Sequence, residues 1–308
     1  MGFKNKYVVA TRPSLLATTQ TEQTVNLLRA KYHEIEFEIK KFSTHGDLVT
    51  DKPLTAFGGT GVFVKELEMA MERGEADFAV HSLKDVPSIQ PPEFILAAFP
   101  KREDPRDVIL TRNNVRLDGL KDDCVIGTSS PRRLLQVAKL KPNAVFKDIR
   151  GNIDTRLRKL EEGDYDAIVL AASGLIRLGK KIPPNAFLSL DTCIPAIGQG
   201  IIGLECKKDD STTIELLRSI NHPYTEIAAI AERKFMGVIG GGCKFPLGAH
   251  AVIDGNHLTL YAMIGNHNTG ELLRKNSISM TEKAEECGEI LAIDVMTECK
   301  KLGIDFMS

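Results

Sequence analysis

The sequence has no tryptophan, and aromatic residues make up only 6% of its 308 residues. So few aromatic side chains argue against a surface that stacks bases or sugar rings. No apolar run approaches the roughly 18 residues of a membrane-spanning helix. Residues 1–14 also lack the apolar core and the cleavage site of a signal peptide. We therefore expect a cytoplasmic protein with no membrane partner.

The six cysteines form no C-x-x-C pair, and the seven histidines are scattered along the chain. This arrangement matches no zinc pattern, so we expect no metal site. A chain that is not secreted keeps its thiols reduced, which argues against disulfides. Most of these cysteines are expected to be small buried apolar residues.

Cys243 differs from the other cysteines because it follows three glycines, Gly240–Gly242, and precedes Lys244. A neighbouring ammonium group favours the thiolate form of a cysteine. One interpretation is a nucleophile or a covalent anchor on an exposed loop. The other is a glycine-rich helix end that happens to contain a cysteine. The loop by itself favours neither interpretation.

The formal net charge of −1 argues against a protein that coats nucleic acid. However, this net charge conceals a local excess of positive charge, because residues 121–181 contain 13 basic and 8 acidic side chains, a local charge of +5.

The length of the chain allows two or three domains. Hydrophobic residues make up 43% of the chain, which is typical of a globular protein.

Short β-rich runs alternate with helical patterns in the first half of the chain. The run Lys6–Thr11 predicts a strand, and Ser14–Ala30 predicts the helix that follows it. This alternation predicts an α/β fold with mostly parallel strands. After residue 247, three alternating runs are separated by Asp254–Asn256 and Gly265–Gly270, which predicts a three-stranded antiparallel sheet. The region Thr281–Leu302 closes the chain as an amphipathic helix.

Several arginines lie where predicted strands end and helices begin. Ligands of open α/β sheets bind at the carboxyl ends of strands, and helix N-termini there attract anions. The guanidinium fork matches a carboxylate with two hydrogen bonds. The sequence therefore predicts a small polyanionic ligand, although a solvated helix face explains Arg158 and Lys159 equally well. The arginines at these junctions are Arg12, Arg132, Arg133, Arg150, Arg156 and Arg177.

Asp85 lies in the segment His81–Pro87, which follows a predicted strand. A carboxylate at a strand end beside a basic region could stabilise a developing cation or transfer protons. Alternatively, Asp85 caps the turn or pairs with Lys84. The segment alone leaves both alternatives open.

Six motifs together resemble one family over essentially the whole chain, the porphobilinogen deaminases or hydroxymethylbilane synthases. In chain order they are HSLKDVP, GTSSPRR, RGNIDTRLRKL, YDAIVLAASGLIRLG, PAIGQGIIGLE and AERKFMGVIGGGCKFPLGAH. The resemblance implies two α/β lobes like those of periplasmic binding proteins and a small C-terminal α/β domain. The implied domain boundaries are 1–100 with 194–218, 101–193, and 219–308.

The resemblance also implies a chemistry. A dipyrromethane cofactor would be attached to Cys243 through a thioether, and a transferase would join four porphobilinogen units head to tail with release of ammonia. The linear hydroxymethylbilane would then be released by hydrolysis. A monomer with no nucleic-acid partner would supply tetrapyrrole, hence porphyrin and haem, biosynthesis.

By motif position, the resemblance assigns roles to individual residues. Asp85 would be catalytic and would stabilise positive charge on the pyrroles. Gly58–Gly61 would belong to a mobile lid, although Thr60 stands where many members carry lysine. Pro131 replaces a larger apolar residue and suits a helix start. The remaining cofactor- or substrate-binding residues would be Arg12, Ser14, Phe63, Lys84, Ser129, Ser130, Arg132, Arg133, Arg150, Arg156, Arg177 and Gln199.

Two other functions compete with this one. An anion-binding module or sensor of the same fold would explain the arginines but not the Cys243 loop. An RNA-binding protein could use the +5 segment, but the near-zero net charge and the scarcity of aromatic residues argue against it.

Overall fold

A computed structural model gives the structure of the chain and describes residues 2–43, 64–240 and 245–305. The chain forms two compact units. Unit 1 comprises Met1–Glu103 with Ile201–Ile230, and unit 2 comprises Asp104–Gly200 with Ala231–Ser308. The three-domain boundaries implied by the sequence stay a prediction.

The described residues contain twelve strands and eight α-helices. The strands are β1 (Lys6–Thr11), β2 (Glu36–Lys41), β3 (Phe78–Ser82), β4 (Phe94–Ala98), β5 (Asp107–Thr111), β6 (Val125–Gly127), β7 (Val145–Lys147), β8 (Ala167–Ala171), β9 (Ile202–Lys207), β10 (Leu247–Asp254), β11 (His257–Gly265) and β12 (Leu272–Met280). The helices are α1 (Leu15–Arg29), α2 (Lys65–Glu72), α3 (Pro131–Val137), α4 (Ile153–Glu162), α5 (Ala172–Arg177), α6 (Ser211–Arg218), α7 (Pro223–Ile239) and α8 (Ala284–Leu302).

Unit 1 contains a five-stranded sheet in the order β2-β1-β3-β9-β4. Strand β1 pairs in parallel with β2 and β3, whereas β9 runs antiparallel to both of its neighbours. The sheet packs against a core that includes Tyr7, Phe78, Leu28 and Leu216, all with no solvent exposure. Because β1 and β3 are parallel, their carboxyl ends lie at the same edge of the sheet.

Unit 2 contains a four-stranded sheet and a three-stranded sheet. The order of the first is β5-β8-β6-β7, in which β6 is parallel to β7 and β8 while β5 is antiparallel to β8. The second is the antiparallel sheet β10-β11-β12, and α8 packs against β11 and β12. The α/β class, the mostly parallel sheets and the antiparallel C-terminal sheet are confirmed.

Local sequence explains where these elements begin and end. The Ser14 hydroxyl caps α1 by accepting a hydrogen bond from the Ala17 amide, which satisfies one of the free amides of the first turn. Strand β8 consists of five buried residues in an unbroken apolar run, as a central strand requires. Gly255, with a φ of 56°, permits the turn between β10 and β11. No described helix is both long enough and apolar enough to cross a membrane.

Candidate active site

Unit 1 places four of the predicted site residues at one edge of its sheet. Arg12 directly follows β1, and Ser14 caps α1 two residues later. Lys84 and Asp85 follow β3, the parallel neighbour of β1. The Ser82 hydroxyl donates a hydrogen bond of 3.0 Å to the side chain of Gln20 in α1. The ends of β1 and β3 therefore present a guanidinium, a hydroxyl, an ammonium and a carboxylate at the same edge.

Asp85 belongs to a single 3-10 turn, Leu83–Asp85. The residues on either side of the Lys84-Asp85 pair, Leu83 and Val86, are 1% and 2% exposed and pack in an apolar cluster with Phe99. The Leu83 amide also donates to the carbonyl of Ile201. Because apolar anchors flank the pair, the turn leaves Lys84 and Asp85 half-buried and reachable.

Unit 2 contains the other predicted residues of the described ranges, and most of them follow the carboxyl ends of β6 and β7. The Ser130 hydroxyl caps α3 by accepting from the Arg133 amide. The Ser129 hydroxyl donates to the Ile149 carbonyl at 2.9 Å and accepts from the Ile149 amide at 3.0 Å. This pair of bonds joins the loop after β6 to the loop after β7, which carries Arg150.

Three arginines follow the carboxyl ends of two parallel strands, Arg133 after β6 and Arg150 and Arg156 after β7. Burial, followed by the charges of Arg133 and Arg150, lowers the pKa of Arg156 to about 10. The Nε of Arg156 donates to the Gly151 carbonyl at 2.8 Å, and Gly151 turns the chain into α4 with a φ of 108°. Like charges disfavour the cationic form of Arg156, so an anion bound beside it would relieve an unfavourable charge density.

Asp107 is a buried carboxylate that binds two of the predicted arginines. Its Oδ2 lies 2.7 Å from Nη1 of Arg132, and its Oδ1 lies 2.8 Å from Nη2 of Arg133. The Gln199 amide donates to the same Oδ1 at 3.0 Å. Burial acts to raise the pKa of Asp107, but the charges of Arg132 and Arg133 outweigh it and keep the pKa well below its usual range.

Arg132 and Gln199 are thus part of an internal network as well as predicted ligand contacts. Arg132 also donates to the Ile194 carbonyl at 2.6 Å and is buried. Gln199 has no solvent exposure and donates to the Pro105 carbonyl at 2.7 Å. Arg177, at the end of α5, donates to the Gly200 carbonyl at 2.7 Å.

Asp107→Asn is expected to lower the free energy of unfolding at pH 7 by about 3–5 kcal/mol, because it leaves two buried guanidinium groups without their counter-charge. The folded pKa of Asp107 is depressed, so its contribution is complete above the ordinary aspartate value of about 3.9 and is lost as the pH falls below it. Urea unfolding followed by circular dichroism should therefore show a constant difference between wild type and variant from about pH 7 to 5 and a shrinking one below about pH 4.

Asp118→Asn provides a matched control, because Asp118 pairs with Arg116 and both side chains are mostly exposed. Exposed pairs contribute little to stability, so this variant should unfold like the wild type. Equal unfolding free energies for Asp107→Asn and the wild type at pH 7 would contradict the role given to the buried carboxylate.

Several predicted residues lie outside the described residues. They are Cys243 with its neighbour Lys244, Phe63, and the segment Gly58–Gly61 with Thr60. The other five cysteines are all buried free thiols, as expected. Within the described ranges, no three His, Cys, Asp or Glu side chains lie where they could bind one metal ion.

Sequence reasoning missed three buried carboxylates, Asp107, Glu205 and Glu232. Glu205 has no exposure and accepts hydrogen bonds from His81 and Gln90. Asp107 and Glu205 each lie in a mostly apolar strand, the runs DVILT and IGLECK, whereas Glu232 lies in α7. An acidic residue in such a run is the only local signal that could have pointed to Asp107 or Glu205, since its partners lie far away in the sequence.

Comparisons with known proteins agree on one family. Residues 7–215 match the model "Porphobilinogen deaminase, dipyromethane cofactor binding domain", and residues 226–297 match "Porphobilinogen deaminase, C-terminal domain". The porphobilinogen deaminase of Roseiflexus castenholzii is 45% identical over 85% of this chain and 86% of its own length. That of Shouchella clausii is 45% identical over 92% of this chain and 91% of its own.

Among solved structures, substrate binding domain 2 of Lactococcus lactis GlnP is similar with a TM-score of 0.42. It is 14% identical, and the match covers 71% of this chain and 89% of that one. The two family models together span most of the sequence, and relatives at 45% identity cover nearly all of it. The chain belongs to the porphobilinogen deaminase family.

Proposed function

We propose that this chain is a transferase that joins four porphobilinogen molecules head to tail and releases one ammonia for each. The product is linear hydroxymethylbilane, which hydrolysis releases from the protein. Membership of the family and the match to its cofactor-binding domain support this proposal.

The observation that carries the proposal is the placement of Arg133, Arg150 and Arg156 just after the carboxyl ends of β6 and β7, which are parallel neighbours in the unit 2 sheet. Each pyrrole unit bears an acetate and a propionate side chain, so a growing chain gains two carboxylates with every step. Clustered guanidinium groups bind such a ligand with paired, charge-assisted hydrogen bonds. The same cluster fits a dipyrromethane, which also carries several carboxylates.

We assign the cofactor to Cys243, where a thioether would join it to the chain. When bound, the dipyrromethane supplies the primer from which the product is extended. The carboxylates of cofactor and substrate would be bound by the predicted set of cations, hydroxyls and one amide, with Phe63 near the rings. That set is Arg12, Ser14, Lys84, Ser129, Ser130, Arg132, Arg133, Arg150, Arg156, Arg177 and Gln199.

Asp85 would act on the reacting porphobilinogen. Breaking the bond between the methylene carbon and the amino nitrogen releases ammonia and leaves an electron-poor azafulvene. An ionised carboxylate accepts hydrogen bonds from pyrrole N–H groups and stabilises the positive charge that develops on the ring. The half-buried position of Asp85 suits this role, because the side chain is reachable but partly shielded from water.

We further propose three domains with the boundaries given by the resemblance, a monomeric state and a cytoplasmic location. Haem and other tetrapyrrole pathways would use the product.

Incubating the purified chain with porphobilinogen tests the proposal. Ammonia should appear in a ratio of four to each tetrapyrrole formed, and the tetrapyrrole should be linear when trapped early. Binding of porphobilinogen without release of ammonia would overturn the proposal and favour an anion-binding module.

A further inference from the structure

We propose that Glu205 is a positioning residue for Asp85, because its two carboxylate oxygens contact both flanks of the segment that carries Asp85. Its Oε2 lies 2.9 Å from Nε2 of His81, which precedes that segment. Its Oε1 accepts a hydrogen bond of 2.6 Å from Nε2 of Gln90, which follows it. The inference rests on the proposed function, in which Asp85 stabilises charge on the substrate. We call residues 82–89 the Asp85 segment.

The sheet register brings Glu205 to this place. Strands β3 and β9 are antiparallel, with Ala79 opposite Glu205 and His81 opposite Gly203. Since side chains alternate between faces, His81 shares a face with Ala79 and is a diagonal neighbour of Glu205. The contact between the two side chains is therefore built into two strands of the unit 1 core.

A fully buried carboxylate is unfavourable unless hydrogen bonds replace its water. Glu205 has no solvent exposure and His81 is 5% exposed, so this pair is inside the unit. The partners of Glu205 are the residues on either side of the Asp85 segment, at sequence separations of 124 and 115. The two hydrogen bonds that compensate for burial of the Glu205 carboxylate therefore restrain the Asp85 segment at both ends.

The two ends of the segment differ in burial. Leu83 and Val86 anchor the turn around Asp85 in the apolar cluster, and the Leu83 amide donates to the Ile201 carbonyl. Near the far end of the segment, Ile89 is 82% exposed and is not part of that cluster. The bond between Gln90 and Glu205 therefore restrains the chain where it leaves the turn that positions Asp85.

A second carboxyl group lies near this pair. Burial, followed by the charge of Glu205, raises the pKa of Glu68 in α2 to about 7, while the charge of His81 opposes the increase. The charges of Glu205 and His81 therefore act on the pKa of Glu68 in opposite directions.

Three full-length variants test the inference in the cofactor-loaded protein. Glu205→Leu removes both acceptor oxygens, and Glu205→Gln is the conservative replacement that keeps one of them. Asp77→Asn is the control, because Asp77 lies just before the other end of β3, where it accepts hydrogen bonds from Lys4 and the Val8 amide. The readouts are kcat and KM for porphobilinogen, intact mass, and urea unfolding.

We expect Glu205→Leu to retain the cofactor mass and to lose kcat by roughly 10- to 100-fold with a much smaller change in KM, since small displacements of a reacting group cost rate. Glu205→Gln should recover part of the lost kcat. Asp77→Asn should unfold more easily than the wild type while keeping its kcat. If Glu205→Leu does not fold, Gln90→Leu decides the question, because it removes one contact and leaves the His81 pair in place.

A kcat equal to that of the wild type in a folded Glu205→Leu would overturn the inference. If Glu205→Leu does not fold, the same result in Gln90→Leu would overturn it. An equal loss of kcat in Asp77→Asn would overturn it too, because the effect would then follow stability and not position. Failure of the proposed function looks different, since the wild type itself would release no ammonia. Full activity in Asp85→Ala would likewise remove the basis of the proposed mechanism and not only the role of Glu205.

Discussion

Replacing Asp85 with alanine is expected to lower kcat for porphobilinogen by roughly 10²- to 10⁴-fold, which is the range for losing an acid–base or charge-stabilising group. The carboxylate offers both a negative charge and hydrogen-bond acceptors to pyrrole N–H groups. Both interactions strengthen as the ring becomes electron-poor, so their loss affects the transition state more than substrate binding. KM should therefore change much less than kcat.

The fold should survive this replacement because the turn does not depend on the Asp85 side chain. Leu83 and Val86 are buried on either side of the Lys84-Asp85 pair, and backbone hydrogen bonds to Leu83 close the turn. Changes at half-exposed positions without buried partners are usually small. Urea unfolding of Asp85→Ala should therefore resemble that of the wild type.

Asp85→Asn separates the two contributions of the carboxylate. The amide keeps an acceptor oxygen of similar shape but carries no charge, so activity close to that of Asp85→Ala assigns the effect to charge. Asp122→Ala is a control for loss of an exposed aspartate, since the Asp122 side chain is 83% exposed. Activity near the wild-type level in Asp85→Ala would remove Asp85 from the mechanism.

Cys243→Ser is expected to abolish both the covalent adduct and the synthesis of product. A thioether requires a sulfur nucleophile, and the thiolate is the reactive form of cysteine. A serine hydroxyl is a weak nucleophile without an activating base. The variant should therefore have the mass of the bare polypeptide, whereas the wild type carries the additional mass of two pyrrole units.

The other cysteines are poor alternatives as attachment sites. Cys124, Cys193, Cys206, Cys287 and Cys299 are all buried. Burial is the first cause of the raised pKa of Cys193 and of Cys206, each to about 12. Thiols of this kind are almost entirely protonated at neutral pH and are shielded from a ligand.

Intact-mass measurement of protein made in cells that synthesise porphobilinogen tests this prediction. Cys124→Ala is the matched control, because it removes a buried thiol and should leave the adduct in place. An adduct that persists in Cys243→Ser would place the attachment elsewhere. A wild type with the bare polypeptide mass would contradict the covalent cofactor itself.

The positions of most elements could be predicted from the sequence because they depend on local pattern. Three such local signals are the capping hydroxyl of Ser14, the proline that begins α3 and the turn at Asp254–Asn256, and each of them acts on residues only a few positions away. The strand ends follow from the same local patterns, so Arg150 and Asp85 could be assigned to sheet edges from the sequence alone.

The direction of individual strands was harder to predict from the sequence. Strand β9 lies antiparallel between β3 and β4, and β5 lies antiparallel at the edge of its sheet. A buried apolar run looks the same in either direction, so the pattern predicts a strand but not its orientation. Orientation depends on how the chain returns to a sheet, and residues 201–230 return to unit 1 after a long excursion.

The sequence by itself determined the family through six ordered motifs, the local excess of positive charge in residues 121–181, and the strand-end placement of the candidate residues. Only the tertiary structure decided that Arg132 and Arg133 share the buried carboxylate of Asp107. It alone also brought Glu205 to both flanks of the Asp85 segment. Periodicity reports whether a position is buried. It does not report which distant side chain neutralises a buried charge, because that partner is chosen by strand register and packing across long sequence separations.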